Sequence, residues 1–163
     1  MNDRPATHQH GDRQAMSRHY VMLDINLAIS TIIMYFVMFS MIDGLSSFYH
    51  NINMFYMALT MVAPMAILML LMMGSMYGNK RLNLLLHAGF AVLFIAAFMG
   101  IRTQAAVGDV QFVRSMIPHH SGAILMCQQA KLEDAELRQL CGEIVQAQRE
   151  EIEQMKRILN RLN

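Results

Sequence analysis

Three long apolar runs, separated by short polar segments, dominate the first two thirds of the sequence. The runs cover residues 23–42, 52–76 and 82–101, and the polar segments between them cover 43–47 and 77–81. About 20 helical residues cross a bilayer. Within hydrocarbon, each segment has to satisfy its own backbone hydrogen bonds, which a helix does. The pattern therefore predicts three transmembrane α-helices.

The pattern changes at residue 109 to two amphipathic helices, over about 109–131 and from Asp134 to about residue 162. Asp134 is a favourable N-cap residue, and Glu136 places negative charge in the first turn that follows. The turn between the helices is short, so we expect them to lie antiparallel. The fold class predicted is all-α, with three transmembrane helices followed by an antiparallel two-helix hairpin.

Formal charge is nearly absent from the apolar region. Between residues 19 and 101 the charged side chains are Asp24, Asp43, Lys80 and Arg81. Close to the spans, five basic residues lie in the N-terminal tail and the second polar segment, against Arg102 and Arg114 on the other side, so the positive-inside rule places the N-terminus in the cytoplasm. We expect a cytosolic tail (1–19), a three-span region (20–103) in a bacterial inner membrane, and a periplasmic hairpin (104–163).

Methionine is strongly over-represented, at 18 of 163 residues, whereas tryptophan is absent. Seven methionines of the second run recur every three or four residues and define one helix face. We call this set the methionine row: Met54, Met57, Met61, Met65, Met69, Met72 and Met76. Thioether sulfur is a soft ligand that suits Cu(I) and Ag(I), although methionine also serves as flexible apolar packing. The Met-x-x-x-Met spacing of Met61, Met65 and Met69 resembles that of eukaryotic copper transporters, but the predicted orientation is reversed.

A second group of soft and acidic side chains converges in the predicted hairpin. Antiparallel pairing about the short turn places His120 opposite Gln148 and Met116 opposite Ile152. The side chains expected at this level are Met116, His119, His120, Gln148, Glu151 and Met155. Sulfur, imidazole and carboxylate together suit a metal site. Adjacent histidines on a helix cannot both face the same seam unless Pro118 distorts the helix, and a helix-surface role for the pair is the alternative.

The same pairing places Cys127 opposite Cys141. Two cysteines are too few for a disulfide scaffold. They are compatible either with one structural disulfide, which an exterior compartment permits, or with a soft-metal site in the reduced state.

One further ionisable side chain, His87, lies inside the third apolar run. An ionisable residue within a membrane span is a functional candidate by default. The alternative is a neutral imidazole that hydrogen-bonds a neighbouring helix.

Two motifs of the hairpin resemble the domain of unknown function 305 family. They are Phe112-Val113-Arg114-Ser115-Met116-Ile117-Pro118-His119-His120-Ser121-Gly122-Ala123-Ile124-Leu125-Met126 and Gln148-x-x-Glu151-Ile152-x-x-Met155, within residues 109–160. The resemblance implies a ferritin-like helical protein associated with copper. It also implies metal contacts at Met116, His119, His120, Met126, Glu151 and Met155. Cys127 and Cys141 depart from the small residues usual there. One hairpin is half of a four-helix bundle, so a second subunit is expected to complete it.

These observations favour a non-enzymatic membrane protein that binds Cu(I) or Ag(I) in copper homeostasis or resistance. A structural or assembly protein whose methionines only pack is the main alternative. A ferritin-like di-metal oxidase is a further alternative, but the hairpin contains no Glu-x-x-His motif. A net charge of +1 argues against nucleic acid as a partner. The expected partners are a soft metal ion, membrane lipid and a second copy of the chain.

Overall fold

The computed structural model describes the backbone of residues 6–162 and the side chains of residues 18–162. In this part of the chain the regular secondary structure is entirely helical, without a β-strand. The α-helices are α1 (Ala6–Val37), α2 (Ile52–Met72), α3 (Lys80–Thr103), α4 (Asp109–Gln129) and α5 (Ala135–Leu162). The predicted all-α fold is confirmed. Helical backbone starts at Ala6, inside the predicted polar tail, and residues 1–5 of that tail lie outside the described residues.

Three helical segments are long and apolar enough to cross a membrane. They are Arg18–Met41, Ile52–Met72 and Lys80–Thr103, with 24, 21 and 24 residues. These segments agree with the three predicted runs except at the end of the second. There α2 stops at Met72, and a turn follows in which the N–H of Met76 donates to the carbonyl oxygen of Met73 over 2.9 Å. Gly74 lies in this turn, so Met76 falls outside the helix that was predicted to carry it.

The described helices divide between two compact units. The first, the apolar unit, comprises the chain up to Met34 together with Met57–Met99. Its buried core consists of Leu23, Leu27, Val62, Ala66, Leu70 and Tyr77. Core residues four apart share one helix face. Large apolar side chains cover the outer faces as well, including Ile32, Leu71 and Val92, which is compatible with a membrane protein.

The second unit, the hairpin unit, comprises Tyr35–Tyr56 and the chain from Gly100 onward. In it α4 packs along α5. The buried core consists of Val113, Ile117 and Ile124 from α4 with Ile152 and Leu159 from α5. Tyr49, from the connection between α1 and α2, packs against the same core. The connection is therefore part of the hairpin's own unit, a grouping that sequence periodicity does not indicate.

Small side chains on α4 allow the connection to approach closely. Ser121 is completely buried; its Oγ accepts a hydrogen bond from the N–H of Asp43 over 2.8 Å and donates to the Asp43 carboxylate. A Cβ atom at Gly122 would lie 3.3 Å from the carbonyl oxygen of Met41. Any side chain larger than hydrogen at that position would therefore crowd the backbone of the 3₁₀ helix Met38–Met41.

The hairpin turn is fixed by a helix cap and a disulfide. The Asp134 carboxylate accepts a hydrogen bond from the N–H of Leu137 over 2.9 Å, which confirms the predicted N-cap. Cys127 and Cys141 form a disulfide across the turn, with their Cα atoms 5.3 Å apart. The disulfide beside the turn and the contact of His120 with Glu151 further from it are both compatible with helices that run antiparallel.

Candidate metal site in the hairpin

His120 is held in one orientation by its own helix. Its Nδ1–H donates to the carbonyl oxygen of Met116, one turn earlier on α4, over 2.9 Å. A carbonyl oxygen only accepts hydrogen bonds, so Nδ1 carries a proton and the opposite nitrogen, Nε2, is directed away from α4. An imidazole oriented in this way presents Nε2 to a partner or ligand.

Pro118 lies inside α4 two residues before His120 and cannot donate a backbone hydrogen bond. The carbonyl oxygen of Arg114 consequently lacks its α-helical donor. Asn51, which is buried, places its Nδ2 3.5 Å from this oxygen and donates to the carbonyl oxygen of Tyr49 over 3.0 Å. Asn51 was not predicted as part of the site; the sequence signal that could have indicated such a residue is the interior proline, whose helix needs a replacement donor.

Glu151 of α5 provides the partner of His120. His120 Nε2 lies 2.8 Å from Glu151 Oε2, and the two side chains are 12% and 52% exposed. A contact of this length between an imidazole nitrogen and a carboxylate oxygen holds a proton, on the ring or on the carboxyl group. A metal ion bound at Nε2 would replace that proton and would lie beside the carboxylate. The pair is open to solvent on the Glu151 side.

The predicted register places Gln148 opposite His120 and Glu151 within one turn of it, and the structure pairs His120 with Glu151. Gln148 and Glu151 are three residues apart and lie on the same side of α5. The carboxylate of Glu151 contacts the imidazole, while Gln148 is half-buried. Met116, one helical turn before His120, is half-buried, and Met155 packs against the hairpin core. The structure therefore joins Met116, His120 and Glu151 through hydrogen bonds and places Met155 on the inner side of α5.

His119 and Met126 lie on the outer side of α4. Both side chains are exposed, with Met126 at 55%. The rings of His119 and His120 are 6.1 Å apart at an interplanar angle of 68°. The prediction that the two histidines cannot both face the seam is confirmed. Among the metal contacts that the family resemblance implies, His119 and Met126 are therefore the outer members.

The disulfide between Cys127 and Cys141 is the first of the two alternatives predicted for these cysteines. A disulfide sulfur is not a thiolate, so the pair offers no thiolate ligand in this form. The predicted proximity of the two residues is confirmed.

The candidate methionines of α2 differ among themselves in burial. Met65 and Met69 are partly buried and pack against the core of the apolar unit, whereas Met61 is 44% exposed. The methionine row therefore does not present a single uniform face: a helix with 3.6 residues per turn gradually rotates positions that are spaced by four.

No three His, Cys, Asp or Glu side chains gather into one metal-binding group within the described residues. The hairpin offers the imidazole and carboxylate of the His120–Glu151 pair, and Met116 and Met155 carry thioethers on the same two helices. Such a mixed set suits a soft metal ion with one harder ligand at the edge of the site.

Comparison with known proteins places this site in a family context. The chain matches the family described as Domain of unknown function (DUF305) over residues 71–161. It is 35% identical over 112 residues to an uncharacterized protein of Acanthamoeba polyphaga mimivirus, an alignment that covers 68% of this chain and 72% of the relative. No solved structure matches. The matched region runs from the end of α2 through α5 and includes both hairpin motifs; the chain belongs to the DUF305 family.

Proposed function

We propose that this chain is a non-enzymatic membrane protein that binds Cu(I), and by the same chemistry Ag(I), in copper homeostasis or resistance. The observation that carries the proposal is the His120 ring, oriented by the Met116 carbonyl and facing Glu151. An imidazole whose Nδ1 is anchored to a backbone carbonyl is the usual arrangement of a metal-ligating histidine. Met116 and Met155 supply the thioethers that favour a soft ion.

The proposed location is a bacterial inner membrane with the hairpin on the periplasmic side. The distribution of lysine and arginine supports this orientation. The disulfide between Cys127 and Cys141 supports it independently, because disulfides persist in oxidising compartments and are rare in the cytosol. In such a compartment thioether and imidazole ligands remain available, whereas thiolates are lost to oxidation.

We further propose that a second copy of the chain completes a ferritin-like four-helix bundle. Apolar side chains on the outer surface of the hairpin support this: Phe112, Met126, Leu137 and Leu140 are each about half exposed. Two helices alone leave such residues in water, whereas a second hairpin would cover them. The outer members of the metal set, His119 and Met126, would then lie near the interface between copies.

The test is an anaerobic Cu(I) competition titration of the detergent-purified full chain. We compare the wild type with His120→Ala and Glu151→Gln, and Glu150→Gln is the matched control on the exposed side of α5. We expect His120→Ala to lose one equivalent of tight binding and Glu151→Gln to bind at least tenfold more weakly. Glu150→Gln should retain wild-type affinity. Equal affinity in wild type and His120→Ala, or no binding above detergent background, overturns the proposal.

A further inference from the structure

The apolar unit contains a small polar cluster at the beginning of α3. The Tyr20 hydroxyl donates to Asn83 Oδ1 over 2.6 Å, and Asn83 Nδ2 donates to the carbonyl oxygen of Tyr77 over 2.7 Å. Both ends of the Asn83 amide are thus hydrogen-bonded to neighbouring parts of the unit. The side-chain amide of Asn83 is therefore satisfied within the apolar unit.

His87 lies one turn further along α3 and is only half satisfied. Its Nδ1–H donates to the carbonyl oxygen of Asn83 over 2.6 Å, which leaves Nε2 of the neutral ring with a lone pair. Nε2 is buried and has no hydrogen-bond partner among the described residues. A buried acceptor without a donor is costly. Because Nδ1 is hydrogen-bonded, Nε2 is also the ring nitrogen left to bind a metal.

The helix that carries His87 borders an apolar core against which methionine side chains also pack. The neighbours of His87 on α3, Leu86 and Phe90, pack against the same core as Met65 and Met69 of α2. Asp24, the acidic side chain of the first span, is exposed at the outer face of α1. Imidazole and thioether donors are neutral, so they suit a soft univalent ion; a hard dication prefers oxygen ligands and anionic charge.

We propose that His87 Nε2, together with the thioether of Met65 or Met69, binds one Cu(I) or Ag(I) ion inside the apolar unit. The choice of cargo rests on the proposed function, but the site is separate from the hairpin and does not use its residues. A univalent ion held by neutral ligands introduces a single charge, the smallest that a metal ion can bring into an apolar environment.

The experiment is an anaerobic Ag(I) titration of the detergent-purified full chain, combined with X-ray absorption at the silver edge to identify nitrogen and sulfur ligands. It is performed on the wild type, on His120→Ala and on His87→Leu, singly and combined. Met65→Leu/Met69→Leu tests the thioethers, and Met22→Leu, an exposed methionine of α1, is the matched control. Thermal unfolding in the same detergent verifies that each variant is folded.

We expect His120→Ala to retain one equivalent with a nitrogen and sulfur shell. Adding His87→Leu should abolish this equivalent, and Met65→Leu/Met69→Leu should weaken it at least tenfold, with Met22→Leu within twofold of the parent. Loss of an equivalent in His87→Leu but not in His120→Ala supports this site and overturns the hairpin proposal. Loss in His120→Ala alone, with His87→Leu identical to wild type in folded protein, overturns this site and leaves the hairpin proposal intact.

Discussion

Two histidines in different parts of this chain share a local geometry and differ in their surroundings. His87 and His120 each donate Nδ1–H to the carbonyl oxygen four residues earlier, over 2.6 and 2.9 Å. In the hairpin unit, Nε2 of His120 meets the Glu151 carboxylate at 2.8 Å. In the apolar unit, Nε2 of His87 is buried without a partner in the described part of the chain. In both cases the residue's own helix orients the ring, and the side chains around Nε2 determine which partner that nitrogen can bind.

The difference follows from the side chains that α5 contributes to the hairpin unit and α2 to the apolar unit. α5 carries many charged residues, and its exposed side can hold a carboxylate next to an imidazole at little desolvation cost. α2 carries no charged side chain, and its methionines offer sulfur as a donor for a soft ion. The same histidine geometry therefore provides a solvent-accessible His–Glu pair in one unit and an isolated lone pair in the other.

The largest effect that distinguishes the two units is expected from a cavity in the hairpin core near His120. Ile117 is completely buried, three residues before His120. We expect Ile117→Ala to destabilise the hairpin unit by about 2–5 kcal/mol, from lost burial and the cavity left behind. Hydrogen exchange measured by mass spectrometry should report faster opening of α4 and α5, with α2 and α3 unchanged. Equal acceleration in both units would contradict the separation on which the comparison depends.

Opening the disulfide should have a somewhat smaller effect on the same unit. Cys127 and Cys141 are 14 residues apart, and a disulfide that closes a loop of this size contributes about 3 kcal/mol in the chain-entropy model. Cys127→Ser/Cys141→Ser should lower the thermal midpoint of the hairpin unit, and reductant should reproduce this shift in wild type. If reductant shifts the double variant as well, the effect does not come from this disulfide.

Replacing each histidine by leucine gives the smallest effects, and we expect them to differ in sign. His120→Leu removes the contact between His120 and the half-exposed Glu151 carboxyl group and should destabilise the hairpin by about 0.5–1 kcal/mol. His87→Leu removes a buried acceptor without a donor, so metal-free protein should keep or gain stability, by up to about 1 kcal/mol. Thermal unfolding of both variants without metal checks this pair of predictions. A clear loss of stability in His87→Leu would mean that Nε2 has a partner in solution.

The sequence could predict those features that are local along the chain. The span lengths follow from hydropathy, the start of α5 from Asp134, and the closeness of Cys127 and Cys141 from the short turn. The same counting from the turn predicts Gln148 opposite His120 and Glu151 within one turn of it, and the structure pairs His120 with Glu151. A register counted from a turn gives the level of a residue on the helix, and it does not distinguish between neighbours one turn apart.

Contacts between distant segments could not be read from periodicity. Nothing in the pattern around Asp43 indicates that its backbone and side chain bond Ser121, 78 residues later. The same is true of Asn51 and the carbonyl group of Arg114. These partners depend on which elements pack together, and one sequence carries that information only weakly.

The contact between the connection and α4 has a consequence for dissecting this protein. A fragment that begins at residue 104 would retain both hairpin helices, but it would expose Ser121 and Gly122 and would remove the amide that lies next to Arg114. Such a fragment would present a new surface with no counterpart in the intact chain. An excised hairpin suited to crystallisation or immunisation therefore has to include residues 35–56, joined by a designed linker.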